Sequence, residues 1–169
     1  MALRFEADGQ FRSVLGGLSL EALEGTLSGL WGQLVAGVPE PEAIEISLSA
    51  ADPGEVRELN KRYRGIDEPT DVLSFPLWET AEGLFSPPSG WPVLELGDLV
   101  ICPGEIAGNA ARYGKKYEEE LLLVLVHGVL HLFALDHRNE EDKVRMWKIQ
   151  EDLVKAYGEK AAPAPGEKE

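Results

Sequence analysis

Residues 121–137, with the sequence LLLVLVHGVLHLFALDH, contain all three histidines of this 169-residue chain. His127 and His131 are four residues apart in a run that predicts a helix, so both side chains project from the same face. His137 follows beyond the expected helix end, where the chain could turn back towards the pair. Three neutral imidazoles that face one point are typical of a catalytic zinc site, with a fourth position left for water. The spacing therefore predicts that His127, His131 and His137 bind one metal ion.

The alternative is that these histidines are packed core residues. Two of them within one apolar run are hard to explain in that way, because each buried imidazole needs partners for both ring nitrogens. We therefore favour one Zn²⁺ per chain, with Ni²⁺ as the alternative metal, since imidazole suits both.

The histidine spacing also matches the metalloprotease signature H-E-x-x-H-x-x-G-x-x-H. Gly128 stands where a protease carries its glutamate general base, and this difference argues against peptide hydrolysis. Ala134 stands where the signature has glycine. This second difference concerns geometry only, because a positive φ at alanine costs on the order of 1 kcal/mol. A metzincin-like metalloprotease is therefore a lower-ranked alternative.

The composition predicts one globular, cytoplasmic domain. A hydrophobic content of 44% suits a single core, and one cysteine excludes an internal disulfide framework. No segment predicts a signal peptide or a membrane span. We expect residues 1–157 to form the domain and residues 158–169 (GEKAAPAPGEKE) to be a disordered tail. The net charge of −14 argues against nonspecific nucleic-acid binding, so any RNA-binding cations must be concentrated locally.

Apolar periodicity predicts an α+β fold in which a small mixed four-stranded sheet packs against about five helices. Strand patterns cover residues 2–7, 43–49, 71–75 and 96–102. Helix patterns cover residues 20–34, 53–64, 104–113, 117–133 and 140–157. The fourth helix carries His127 and His131 and is apolar nearly all round, so we expect it to be central. Val144 and Trp147 are assigned to the apolar side of the last helix.

Residues 52–65 predict a helix with a defined start and end. Asp52 is the expected N-cap, and Pro53 suits the first turn. Gly65 ends the helix and places Arg64 at a helix-to-loop boundary, from which its guanidinium can reach a cleft and bind a phosphate. On the residues alone, a surface role and a site role for Arg64 are equally supported.

Residues 77–95 predict a long loop that contains Trp78, Phe85 and Trp91. Loops of this length are commonly lids or binding loops, or else mobile. The aromatic rings could stack on unpaired bases. Such rings more often attach a loop to the body of a domain, and we favour that interpretation.

Three blocks of the chain resemble those of the YbeY-type bacterial endoribonucleases, which mature rRNA. The block HGVLHLFALDH (residues 127–137) departs from that family's H-G-x-L-H-L-x-G-x-D-H only at Ala134. Residues 59–75 (LNKRYRGIDEPTDVLSF) and residues 96–101 (LGDLVI) resemble the second and third blocks.

The resemblance implies a metal-dependent, single-strand-specific endoribonuclease that acts in small-subunit rRNA 3′-end maturation and ribosome quality control. His127, His131 and His137 would hold the metal, and Arg64 would be the functional arginine that binds RNA and stabilises charge on the reacting phosphate. The implied partners are single-stranded rRNA and ribosomal subunits, without DNA or a membrane. Asp136 is a candidate general acid or base, or else a group that orients a ligand imidazole.

An alternative of another class is a ribosome-assembly binding protein in which zinc is structural. The acidic net charge favours this alternative. Structural zinc sites normally have four protein ligands, and the sequence offers no evident fourth. Cys102 could be a soft ligand, but a lone cysteine is usually packed.

Overall fold

The computed structural model describes residues 1–136 and 138–162, which form four strands and seven helices. The strands are β1 (Ala2–Ala7), β2 (Ala43–Ala50), β3 (Val72–Pro76) and β4 (Val93–Ile101). The helices are α1 (Gly9–Arg12), α2 (Leu20–Leu27), α3 (Leu30–Leu34), α4 (Pro53–Arg64), α5 (Pro103–Arg112), α6 (Tyr117–Leu132) and α7 (Glu140–Ala161). The predicted α+β class, with a four-stranded mixed sheet and a central helix that carries the histidine pair, is confirmed. None of the described helices has the length and apolarity needed to cross a membrane.

The sheet has the strand order β1-β2-β4-β3. β1, β2 and β4 are parallel, and β3 runs antiparallel to β4 at one edge. A bulge between Glu45 and Ile46 shifts the register of β2 against β4, so that Ile46 pairs with Gly97. Because β3 is an edge strand, its outer main-chain groups are open to partners other than a strand.

Two hydrophobic cores hold the elements together. The main core joins β1, β2 and β4 to every helix except α4, and the minor core consists of Val56, Leu73 and Cys102. Side chains alternate along β3, so Leu73 lies in the minor core while Ser74 faces α6. The Ser74 hydroxyl donates to the Gly128 carbonyl at 3.4 Å. The two cores therefore lie on opposite faces of β3.

The region between β1 and β2 differs from the prediction. Residues 20–34 predict one helix, but α2 and α3 are separate, with Ser28 and Gly29 between them. Glycine weakens a helix interior because folding restricts its backbone most. The short helix α1 has no counterpart in the predicted pattern. Its cap, Asp8, accepts a hydrogen bond from the Phe11 amide at 2.7 Å.

The predicted boundary between the domain and its tail is wrong, because α7 continues to Ala161 instead of ending before residue 158. Ala162 is extended, with φ −64° and ψ 141°, and ends the helix. Pro163 follows it in the sequence, and the residue before a proline disfavours the helical conformation. Residues 163–169 of the predicted tail lie outside the described residues.

The orientation of α7 also differs from the prediction. Val144 and Trp147 keep 64% and 53% of their surface exposed, so their assignment to the core-facing side is wrong. Spacing of i, i+3, i+4 and i+7 defines the face that is buried instead. Its members are Met146, Ile149, Gln150 and Leu153.

Candidate active site

α6 places His127 and His131 side by side. Three glutamates in its first turn suit the positive end of the helix dipole, and eight of its ten buried residues fix it in the main core. The four-residue spacing brings the two imidazoles together, with ring centroids 4.4 Å apart and Nε2 atoms 2.8 Å apart. The structure thus brings together two of the three predicted ligands, and His137 lies outside the described residues.

Gln150 of α7 orients His127. Its Oε1 lies 2.5 Å from His127 Nδ1, so this ring nitrogen carries a hydrogen and donates it. His127 Nε2, the other ring nitrogen, faces Nε2 of His131. Gln150 is only 5% exposed. An acceptor at the second ring nitrogen is a common support for a metal-binding histidine.

The two imidazoles fit a divalent metal ion in chemistry and nearly in distance. Two nitrogens bound to tetrahedral zinc at roughly 2.0–2.1 Å would be about 3.3 Å apart. The observed 2.8 Å between Nε2 atoms requires only a small separation of the rings. Within residues 1–136 and 138–162, no three or more His, Cys, Asp or Glu side chains form a metal-binding group. The described pair could supply two ligands, and the predicted third is outside that part of the chain.

The turn after α6 contains a left-handed residue. Ala134 has φ 62°, the geometry for which the family's motif has glycine. The Ala134 amide donates to the His131 carbonyl at 2.9 Å, and the Leu135 amide donates to the Leu130 carbonyl at 3.1 Å. These bonds satisfy carbonyls that the helix end would otherwise leave open. The predicted cost of alanine here, about 1 kcal/mol, therefore applies.

The histidine pair lines a cavity of about 410 Å³. Its walls come from β3 and the residues before it, from α6, from α7 and from the end of α4. β3 and the residues before it contribute Thr70, Asp71, Val72 and Ser74, and α4 contributes Arg64. α6 contributes Glu120, Leu123, Val124, His127 and His131, and α7 contributes Trp147 and Gln150. The cavity therefore joins the predicted arginine to two predicted metal ligands.

Arg64 is the last residue of α4, as predicted, and Gly65 caps the helix in the left-handed conformation at φ 72°. Its side chain is held weakly, since Arg64 Nη2 donates to the Ser74 main-chain oxygen at 3.5 Å, the long limit of a hydrogen bond. A guanidinium carries five N–H donors, so others remain to meet an anion in the cavity.

Comparison with known proteins assigns the chain to a family. The family model described as Endoribonuclease YbeY matches residues 19–158. The Endoribonuclease YbeY of Halalkalibacterium halodurans is 44% identical over 116 residues, which are 68% of this chain and 72% of that protein. The chain belongs to the YbeY endoribonuclease family. The predicted family resemblance is thereby confirmed.

Longer matches and a solved structure agree with this assignment. The Endoribonuclease YbeY of Desulfitobacterium hafniense is 38% identical over 144 residues, 79% of this chain and 87% of that protein. The one from Geobacillus thermodenitrificans is 38% identical over 133 residues, 79% of this chain and 85% of that protein. The solution structure of TM1509 from Thermotoga maritima matches with a TM-score of 0.55 at 27% identity, and the match covers 98% of this chain and 99% of that one.

Gly128 distinguishes this YbeY family member from the metalloprotease signature. A Cβ added at Gly128 would lie 3.0 and 3.2 Å from the two methyl carbons of Leu99 and 3.5 Å from Val72. A glutamate at this position would therefore crowd Leu99 of the sheet. Glycine allows the close approach of α6 to β4, and the metzincin-like alternative loses its general base.

Sequence reasoning missed the buried acidic residue of the cavity. Glu120 lies seven residues before His127 on the same face of α6 and is 5% exposed. Lys115 Nζ lies 3.5 Å from Glu120 Oε2, although no described group donates a hydrogen bond to that oxygen. Lys115 therefore pairs with Glu120. Helical periodicity back from the histidines could have located Glu120.

The long loop is attached to the body of the domain by two of its aromatic residues, Trp78 and Phe85, which pack against the main core. Phe85 packs against Trp31 and Phe133, with ring centroids 5.9 Å and 5.5 Å apart. The packing interpretation is therefore confirmed for Trp78 and Phe85. Arg138 adds a polar attachment by donating to the Gly83 carbonyl at 2.9 Å.

Two other predicted candidates lie away from the cavity lining that the structure describes. Asp136 is exposed and lies 3.8 Å from Arg138 Nε. Cys102 is buried in the minor core, where burial raises the pKa of its thiol. A raised pKa suits a packed cysteine and disfavours the thiolate that a metal would need.

Proposed function

We propose that this chain is a metal-dependent endoribonuclease that cleaves single-stranded RNA. The observation that carries the proposal is the single cavity shared by His127, His131 and Arg64. Membership of the Endoribonuclease YbeY family supports RNA as the substrate. We also propose the setting that the family resemblance implies, which is 3′-end maturation of small-subunit rRNA and ribosome quality control in the cytoplasm, with ribosomal subunits as partners.

His127 and His131 would hold the metal, with His137 as the proposed third ligand. The donor set suits one zinc or nickel ion. When bound, such an ion supplies Lewis acidity, which polarises a phosphodiester and makes water more acidic. Gln150 supports this role because its hydrogen bond to His127 Nδ1 keeps the lone pair of Nε2 directed into the cavity.

Arg64 would bind the nonbridging oxygens of the reacting phosphate. Its parallel N–H donors match two such oxygens. Negative charge grows on these oxygens in the transition state, so the contact strengthens as the reaction proceeds. The weak hydrogen bond to the Ser74 carbonyl costs little to exchange for a phosphate.

Cations at the end of α4 concentrate positive charge around Arg64, although the net charge of the chain is acidic. Lys61, Arg62 and Arg64 occupy its last turn and are exposed. A chain with a net charge of −14 can bind RNA if its cations cluster at the phosphate. Binding that depends on such a cluster weakens as the salt concentration rises.

Metal analysis of the purified chain, paired with RNA cleavage assays, tests the proposal. We expect about one divalent ion per chain. We also expect cleavage of unpaired RNA, with little cleavage of an RNA duplex or of DNA. Chelation should stop the reaction, and addition of Zn²⁺ or Ni²⁺ should restore it.

Thermal unfolding before and after chelation separates the alternatives. A catalytic metal should leave the fold in place because the main core holds α6 without it. Unfolding on chelation would instead support a structural metal. Full cleavage by the metal-free chain would contradict metal dependence. A metal-loaded chain that binds rRNA without cleaving it would favour the ribosome-assembly alternative.

A further inference from the structure

The exposed face of α7 carries a tryptophan at the cavity that holds the histidines. Trp147 keeps 53% of its surface exposed, and Val144, one turn earlier, keeps 64%. A single exposed apolar side chain is ordinary. The significance of Trp147 therefore depends on where it lies and on what surrounds it.

Trp147 belongs to the site by position. It lines the same cavity as His127 and His131. It also lies three residues before Gln150, which orients His127, and side chains at this spacing are neighbours on a helix surface. The indole therefore borders the place where a phosphodiester would meet the histidines.

The surroundings of Trp147 differ from those of the other tryptophans. Trp31 and Trp78 donate their indole N–H groups to main-chain carbonyls. Trp91 packs edge-on against Trp78, with ring centroids 5.6 Å apart. No aromatic ring in the described part of the chain contacts Trp147. Its ring is therefore open to a planar group from outside.

A second hollow, of about 590 Å³, has Trp147 as one of its walls. Its other lining residues are Arg138, Asn139, Glu140 and Lys143. Arg138 is already engaged with the long loop. Lys143 lies one turn before Trp147, and no acidic side chain of residues 1–136 and 138–162 forms an ion pair with it. An aromatic face beside a cation is the combination that binds a base and its phosphate in single-stranded nucleic acid.

We propose that Trp147 stacks on an unpaired base next to the scissile phosphate, while Lys143 contacts the phosphate beyond that base. This subsite rests on the proposed function and extends it. A base inside a duplex has both faces covered by neighbouring pairs, so only an unstacked base can present a face to the indole. The subsite therefore selects unpaired RNA, with little preference among bases because each has a π-face.

Steady-state cleavage of a short single-stranded RNA by the metal-loaded full chain tests the subsite. Trp147→Ala should raise KM about tenfold, while kcat stays within about twofold, because stacking contributes to binding and not to the bond-breaking step. Trp147→Phe keeps a ring and should recover most of the loss. Trp91→Ala is the matched control, since Trp91 is 50% exposed but lies outside both hollows, and its KM should match the wild type.

A scan of the substrate provides a readout that a structural role would not change. Each base near the cleavage position is removed in turn to leave an abasic nucleotide. One position should lower kcat/KM for the wild type and have little further effect on Trp147→Ala, because the partner of that base is already missing. If Trp147→Ala fails to fold, the scan on the wild type and on Trp147→Phe still decides the question, and the absence of any sensitive position overturns the proposal.

The remaining outcomes separate this inference from the proposed function. If the wild type cleaves RNA and Trp147→Ala has the same KM, the stacking subsite is wrong and the proposed function stands. If that variant also changes from a dimer to a monomer, the exposed face is an interface between copies. If the wild type cleaves no RNA, the proposed function fails. Quenching of indole fluorescence by single-stranded RNA then decides the subsite, because quenching that disappears in Trp147→Phe supports it and the lack of quenching refutes it.

Discussion

α6 and α4 both deliver a residue to the cavity, but the fold holds them in different ways. α6 has ten buried residues, eight of them in the main core, and its histidines lie in the middle and at the end of that packed stretch. α4 has two buried residues, Val56 and Asn60, and only Val56 belongs to a hydrophobic core. The two histidines are therefore fixed by packing, whereas Arg64 projects from a lightly packed helix.

Local contacts compensate for the thin packing of α4. Asp52 caps its start by accepting from the Glu55 amide at 2.8 Å. Asn60 donates to the Glu68 carbonyl at 2.8 Å, which ties the helix to the loop that follows Arg64. Metal ligands need a fixed geometry, whereas an arginine that follows changing charge on a phosphate can tolerate some motion. Variants of α6 should therefore affect metal binding and stability, and variants of α4 should affect activity.

The largest effect should follow from His131→Ala. Loss of one of two adjoining imidazoles leaves too few ligands for the metal, so we expect no bound ion at neutral pH and no detectable RNA cleavage. Metal analysis and a cleavage assay measure both effects. Lys155→Ala, an exposed position on α7, is the control and should keep full metal content. Wild-type metal content in His131→Ala would remove the proposed site.

Arg64→Ala should lower RNA cleavage by about 100-fold or more, because a charge-stabilising contact is lost in the transition state. Metal content and Tm should hardly change, since Arg64 is exposed. Arg64→Lys should recover only part of the rate because an ammonium cannot make the two-pronged contact. Arg112→Ala is the matched control, because Arg112 is also an exposed arginine in the last turn of a helix but lies outside the cavity, and it should cleave at nearly the wild-type rate. Unfolding of Arg64→Ala would point to a structural role.

Gln150→Ala should weaken metal affinity by about 10- to 100-fold, because His127 loses the acceptor that orients its ring. Gln150→Glu should retain most of the affinity, since a carboxylate also accepts from Nδ1. Titration of the metal-free protein with Zn²⁺ compares the variants. Equal affinity in wild type and Gln150→Ala would show that packing alone orients His127.

Truncations in the two cores test the comparison through stability. Leu125→Ala in the main core should lower the free energy of unfolding by about 2–5 kcal/mol. Val56→Ala in the minor core should cost about 1–2 kcal/mol, because fewer carbon atoms lose their contacts. Urea denaturation measures both changes. A larger loss from Val56→Ala than from Leu125→Ala would reverse the ranking of the two cores.

The smallest effect concerns the ion pair that ties α4 to its following loop. The hydrogen bond from Arg57 to Asp67, at 2.8 Å, lowers the pKa of Asp67 from its ordinary value of 3.8. A lowered pKa stabilises the fold above pH 3.8, and this contribution is lost as the pH falls through the folded-state pKa. Arg57→Ala should return the pKa towards 3.8, which an NMR titration of the Asp67 carboxyl measures. The pair is exposed, so the effect on stability should be slight.

Features encoded by neighbouring residues were predictable from the sequence. Asp52, Pro53 and Gly65 give the bounds of α4, and with them the position of Arg64, because capping and turn preferences act within a few residues. The shared face of His127 and His131 follows from helix geometry alone. These local rules supplied the described part of the candidate site without knowledge of the tertiary fold.

Features that depend on distant partners were not predictable in the same way. Gln150 meets His127 across 23 residues, and its only signal is a polar side chain within the apolar spacing of α7. The same rotation of α7 exposes Trp147, which apolar composition alone assigns to the core. Composition cannot decide which face of an amphipathic helix is buried when its apolar residues surround much of the axis.

Ala134, which is left-handed in the folded turn, also affects the conformational entropy of the unfolded chain. Glycine at this position would relieve about 1 kcal/mol of backbone strain. Glycine would also give the unfolded chain more conformations to lose, which costs about 0.4–1 kcal/mol. The strain of alanine in the native turn is therefore largely offset by the lower conformational entropy of the unfolded chain. Ala134 departs from the family's glycine at a small net cost. The two main-chain hydrogen bonds that close the turn do not depend on whether residue 134 is alanine or glycine.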